Sequence, residues 1–118
     1  MTDLNFEDII GRYFNLNLKK DNYRIYVEEA GQGTPLLCLH TAGSDGRQFR
    51  HILNDKRITN NYRVIVFDLP WHGKSNPPEG YELKDYKLTT NLYKEIIMSF
   101  CKQYKLIDPV IMLSLIHI

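Results

Sequence analysis

Two stretches decide the fold: Leu36-Leu37-Cys38-Leu39-His40-Thr41-Ala42-Gly43-Ser44-Asp45-Gly46, and Val64-Ile65-Val66-Phe67-Asp68-Leu69-Pro70-Trp71-His72-Gly73-Lys74-Ser75. Each is an apolar run without alternation that gives way to a loop of small and polar residues. A short continuous apolar run bounded by breakers suits a strand covered on both faces, as in a parallel sheet. A third run of the same kind is Val110-Ile111-Met112-Leu113.

Outward from these runs the patterning changes. Arg12 to Leu18 alternates, with Phe14, Leu16 and Leu18 on one face. Tyr23 to Glu29 alternates too, with Tyr23, Ile25 and Val27 against Arg24, Tyr26 and Glu28. Lys19-Lys20-Asp21-Asn22 reads as the turn of an antiparallel hairpin, and Gly31 to Pro35 breaks the chain before the first apolar run. Arg47 to about Lys56 has helical spacing, through Phe49, Ile52 and Leu53. Asp85 to Tyr104 has it again, through Leu88, Leu92, Ile96, Met98 and Phe100. Strands alternating with helices predict an α/β fold, here an antiparallel hairpin followed by a mostly parallel sheet with flanking helices. Ligands of such sheets bind at the carboxyl ends of the strands. His40 to Gly46 and Asp68 to Ser75 leave such ends and are the candidate functional loops.

Composition bounds the partners. The 118 residues make one domain, 1–118, with 43% hydrophobic and 25% charged residues. Fifteen basic and 14 acidic residues leave a net charge of +1, which gives no field for nucleic acid. No apolar stretch approaches a bilayer span, and Met-Thr-Asp-Leu-Asn-Phe-Glu-Asp lacks the basic and apolar regions of a secretory signal, so the default expectation is a cytoplasmic protein with no membrane partner. Cys38 and Cys101 read as reduced thiols in a strand and a helix. His40, His51, His72 and His117 have no ligand spacing among themselves or with cysteine, so no metal and no cofactor is expected.

The two loops, taken together, resemble the α/β-hydrolase superfamily in its esterase, lipase and carbon–carbon-bond hydrolase branch. That family has an apolar strand ending in His-Gly and a later Asp-x-x-Gly-x-Gly-x-Ser; here His40-Thr41 and Asp68-Leu69-Pro70-Trp71-His72-Gly73-Lys74-Ser75 stand at those places. Thr41 and Trp71 depart from the family's glycines. The resemblance covers residues 12–112. It implies that the first parallel strand lies between the other two. It also implies that the loop after that strand gives one backbone N–H to an oxyanion hole, and by position Ala42 is the donor. His40, Asp68 and His72 are then loop-fixing groups, because the family's catalytic histidine comes last in the chain. Gly73 answers a positive-φ demand, Ser75 bonds within the loop, and Asp45 starts a helix or, with Arg47, touches a polar substrate.

The family's Gly-x-Ser-x-Gly elbow is expected directly after the third run. The sequence instead reads Met112-Leu113-Ser114-Leu115-Ile116-His117-Ile118. No glycine opens a turn there, and Ser114 with His117 lacks a third group to orient the histidine. The resemblance therefore implies an N-terminal fragment that ends before the nucleophile. Residues 113–118 read as a tail foreign to the family, in the manner of translated sequencing-adapter read-through. The parent protein is expected to be a serine hydrolase of a small-molecule ester, amide or activated carbon–carbon bond, and the chain itself inactive. The alternatives are a dehalogenase or perhydrolase on the same fold, or a non-catalytic interaction domain. The run from Val110 onward is expected to be an exposed edge, with Leu37, Leu39, Val64 and Val66 partly wet and the expressed chain largely insoluble or molten.

Overall fold

The computed structural model of the chain describes residues 4–19, 21–40, 45–70, 73–75 and 89–113. The hairpin forms as β1 (Ile10–Leu18) and β2 (Asp21–Ala30), with Leu18 opposite Asp21 and Ile10 opposite Glu29. Its turn is tighter than the sequence suggests, because Asp21 and Asn22 already belong to β2. Lys19 takes φ 55, the left-handed conformation that matches a short hairpin loop to the twist of its strands. Alternation predicts the inner face well: Leu16, Leu18, Tyr23, Ile25 and Val27 are buried. It fails from Glu28 onward, where Glu28 and Ala30 are buried on the opposite face.

The three apolar runs are strands. They are β3 (Thr34–Leu39), β4 (Tyr62–Phe67) and β5 (Val110–Leu113). Pro35 lies inside β3 rather than before it, at the strand's second residue. Among the described residues the five strands make one mixed sheet in the order β1-β2-β4-β3-β5. β3 is parallel to both neighbours, with Leu36 opposite Val64 on one side and Val110 on the other. The first parallel strand thus sits between the other two, as expected. β4 continues antiparallel into β2, with Val27 opposite Phe67.

The helix expected over Arg47 to Lys56 is broken. A 3-10 turn at Gly46–Phe49 runs into α1 (Arg50–Leu53), and α2 (Lys56–Thr59) starts afresh. Asp55 causes the restart: its extended backbone leaves the helix, and its side chain accepts a hydrogen bond from Arg57 N at 3.0 Å. The second helix is α3 (Thr90–Gln103), capped by Thr89 Oγ1 accepting from Leu92 N at 3.1 Å. Residues 85–88 of the expected helix, Leu88 included, lie outside the described residues. Ile96 and Phe100 are fully buried, but Met98 faces solvent at 72% exposure, so it is not part of the apolar stripe.

Helices cover both faces of the sheet. On one face Leu16, Ile25, Leu37, Leu39, Ile65 and Phe67 pack with Ile96 and Phe100 of α3. The rings of Phe67 and Phe100 stack at 4.4 Å. On the other face Cys38, Val64 and Val66 pack with Phe49 and Leu53. The expectation of wet residues at Leu37, Leu39, Val64 and Val66 is therefore overturned, since each is 1% exposed or less. The residues of α1 and α3 needed to cover them are all within the chain. β5 does behave as an edge: Val110, Ile111 and Leu113 are 48%, 44% and 59% exposed. Among the described residues no helix is long and apolar enough to cross a membrane.

Candidate active-site loops

The two loops leave the carboxyl ends of β3 and β4, which are adjacent and parallel, so both emerge on the same edge of the sheet. They are tied together at both ends of the first loop. At its start His40 is fully buried, and Leu69 N donates to His40 Nε2 at 2.9 Å. A nitrogen that accepts carries no proton, so the ring's N–H sits on Nδ1. At the loop's end Gly46 N donates to Asp68 Oδ1 at 2.7 Å.

Asp68 is the centre of this arrangement. Its second oxygen, Oδ2, accepts from Lys74 N at 2.8 Å, which curls the second loop back on its own start. Ser75 closes the curl: its hydroxyl donates to the Asp68 carbonyl at 2.6 Å and accepts from Tyr26 N of β2 at 2.9 Å. A carboxylate receiving two backbone N–H groups is a strong, geometrically fixed acceptor. Close approach requires the glycines. A Cβ on Gly46 would stand 2.8 Å from Val66 Cγ1, and one on Gly73 would stand 2.3 Å from Asp68 Oδ2. Gly73 also has φ 48. The loop-fixing roles expected for His40, Asp68, Gly73 and Ser75 are thus what the geometry displays.

Asp45 starts the 3-10 turn, accepting from Arg47 N at 2.8 Å and from Arg47 Nε at 2.9 Å. The Arg47 guanidinium holds its carboxyl below the usual carboxylate range. Local patterning gave no sign of the neighbouring pair, Glu28 and Arg50. Arg50 Nε and Nη2 donate to the two oxygens of the buried Glu28 at 3.2 and 3.0 Å, which ties α1 to β2. The partners are 22 residues apart and on different elements, so only tertiary structure reveals them. Tyr26 Oη also donates to Glu28, at 3.2 Å. Among the described residues no cluster of three histidine, cysteine or acidic side chains is placed to hold a metal. Ala42, the expected oxyanion donor, lies outside the described residues. So do Thr41, Trp71, His72, Ser114, Leu115 and His117.

Solved structures share the fold of this chain. The N-acyl homoserine lactonase AidH, complexed with N-butanoyl homoserine, is 31% identical and matches 85% of this chain with a TM-score of 0.67. An epoxide hydrolase from Vigna radiata is 20% identical and matches 93% with a TM-score of 0.73. The chain has the α/β-hydrolase fold. An uncharacterized hydrolase of Bacillus subtilis, YraK, is 29% identical over 75 residues, 61% of this chain. No family model matches the sequence. This hydrolase-fold chain spans 35% of the lactonase, 33% of the epoxide hydrolase and 27% of YraK.

Proposed function

We propose that this hydrolase-fold chain is the N-terminal part of a serine hydrolase that acts on a small-molecule ester, amide or activated carbon–carbon bond. The observation that carries the reading is the double clamp of the His40–Gly46 loop onto the loop that follows β4. The clamp fixes the two described ends of the loop, His40 and Gly46, before any charge develops. That preorganisation is what an oxyanion hole requires, and one such donor is typically worth about 3–4 kcal/mol. In this reading Ala42 N–H is the donor, while serine, acid and histidine come from sequence beyond residue 118. The likeness to a lactonase at 31% identity supports acyl chemistry.

The test uses the protein encoded when the gene is read through the Met112 codon on genomic DNA. That protein is expected to hydrolyse p-nitrophenyl esters and to be labelled by a serine-reactive phosphonate. Ala42→Pro, which removes the N–H, is expected to lower kcat by about a hundredfold or more. An intact protein that neither turns over ester nor takes up the phosphonate would overturn the reading. The 118-residue chain itself is expected to show no turnover beyond that of its Ser114→Ala variant. Turnover lost on that substitution would place the nucleophile at Ser114 instead.

A further inference from the structure

We propose that the cavity between the two clamped loops and β2 is a binding site for a small monocarboxylate. The cavity has a volume of about 250 Å³ and lies at the carboxyl edge of β4. Tyr26 and Glu28 form its floor, Asp45, Arg47 and Arg50 one wall, and Asp68, Gly73 and Lys74 the other. It is therefore bounded by both loops and by the buried ion pair that the candidate oxyanion site does not use.

The hydrogen-bonding inventory of this cavity is lopsided. Its acceptors are engaged: Asp45 by Arg47, Glu28 by Arg50 and Tyr26, and Asp68 by the backbone N–H groups of Gly46 and Lys74. Its donors are not exhausted. Among the described residues, Arg47 and Arg50 each make their pairs through Nε and Nη2 and leave Nη1 unused. Lys74 Nζ lies 4.8 Å from the centre of the Tyr26 ring, and no described carboxylate pairs with it. A cation held over an aromatic face is placed but keeps its N–H groups for a ligand. Each carboxylate already holds a donor while Lys74 Nζ and the two Nη1 groups have no described hydrogen-bond partner, so the cavity favours a ligand that brings an acceptor group.

Charge narrows the class. Three cations and three carboxylates line the space, so it is neutral as built. A dianion such as phosphate would meet the repulsion of three fixed carboxylates at short range, whereas a single negative charge beside Lys74 has a favourable partner and less opposition. The size admits a short organic acid. Hydrolysis of an ester or amide releases a carboxylic acid. That the site holds a product or a substrate carboxylate rests on the hydrolase reading above, whereas binding by the chain does not.

The experiment is an amide NMR titration of the 118-residue chain with sodium propionate, against sodium chloride at equal ionic strength and against sodium phosphate. Propionate is expected to give saturable shifts centred on Tyr26, Arg47 and Lys74, with phosphate weaker. Lys74→Gln is expected to weaken propionate binding about tenfold, the size of a lost charge-assisted hydrogen bond. Its amide spectrum away from the cavity should be retained, and its melting temperature should fall only slightly, by the loss of the Lys74 contact with the Tyr26 ring. Shifts that chloride reproduces, tighter binding of phosphate, or full affinity in Lys74→Gln would each overturn the proposal. None of these results depends on a nucleophile, so failure here is distinct from failure of the hydrolase reading.

Discussion

Gly73 concentrates two constraints in one residue. Its φ of 48 is left-handed, and its missing Cβ makes room for Asp68 Oδ2. Gly73→Ala is expected to lower stability by about 1–3 kcal/mol in a urea melt. Gly73→Asn should be no better, because asparagine tolerates the backbone angle but still carries the clashing Cβ. Glu29 makes a different argument. Burial alone would raise its carboxyl, but hydrogen bonds from Arg63, Tyr104 and Arg12 outweigh burial and hold it below the usual range. Arg63 donates through Nε at 2.8 Å and Nη2 at 3.2 Å, Arg12 through Nη2 at 3.2 Å, and the Tyr104 hydroxyl completes the set. A depressed carboxylate contributes stability that is complete above its unfolded pKa, about 4.3, and is lost as pH falls through the lower folded value. The melting temperature is therefore expected to change little from pH 7 to about 5 and to drop below about 4. Glu29→Gln should flatten that acid limb and cost about 1–3 kcal/mol at neutral pH.

At the scale of elements, the apolar runs were legible because burial on both faces leaves no choice of residue: Val64-Ile65-Val66-Phe67 can be little else but an interior strand. The hairpin was legible from alternation, and its end was not, because Glu28 is buried by an arginine from α1 rather than by a neighbour in sequence. The break between α1 and α2 was also hidden. Phe49, Ile52 and Leu53 have helical spacing, but Asp55 competes for the backbone as a cap, and a local side-chain bond of that kind ends a helix without disturbing its apolar pattern. The loop anchors His40, Asp68, Gly73 and Ser75 were readable through family resemblance; Tyr26, Glu28, Arg50 and Lys74, which complete the cavity, have no local signature. Among the helices α3 bears most of the packing on its face of the sheet. Phe100→Ala removes the ring stacked on Phe67 and is expected to cost about 3–5 kcal/mol, enough to unfold much of the chain at room temperature, as far-ultraviolet circular dichroism would show.

For the whole molecule the covered faces change the expected route to association. With α3 on one side and α1 on the other, bare sheet faces are not the route to association. Among the described residues a route that stays open is the outer side of β5, where Val110, Ile111 and Leu113 are exposed and no charge interrupts the run. Such an edge offers unpaired N–H and C=O groups to another strand. The chain is expected to remain folded in dilute solution and to associate as concentration rises. Ile111→Lys should suppress that association in light scattering while leaving ester hydrolysis absent, because solubility supplies no nucleophile. Association unaffected by the lysine would direct attention to another surface, such as Leu4 and Phe6, each 80% exposed.

The two thiols occupy different depths of this architecture. Cys38 sits on β3 between β4 and β5, fully buried, and burial pushes its thiol up to about 12. Cys101 sits on α3, half-buried, with its thiol raised by the same cause. Thiolate is the reactive form, so Cys38 stays unreactive until its surroundings open, and the half-buried Cys101 reacts slowly until then. The chain thereby carries its own pair of clocks. A thiol reagent should mark Cys101 when α3 lifts from the hairpin, and Cys38 only when the parallel strands part. The ratio of the two labelling rates would then report whether this third of a hydrolase fold opens in stages or all at once.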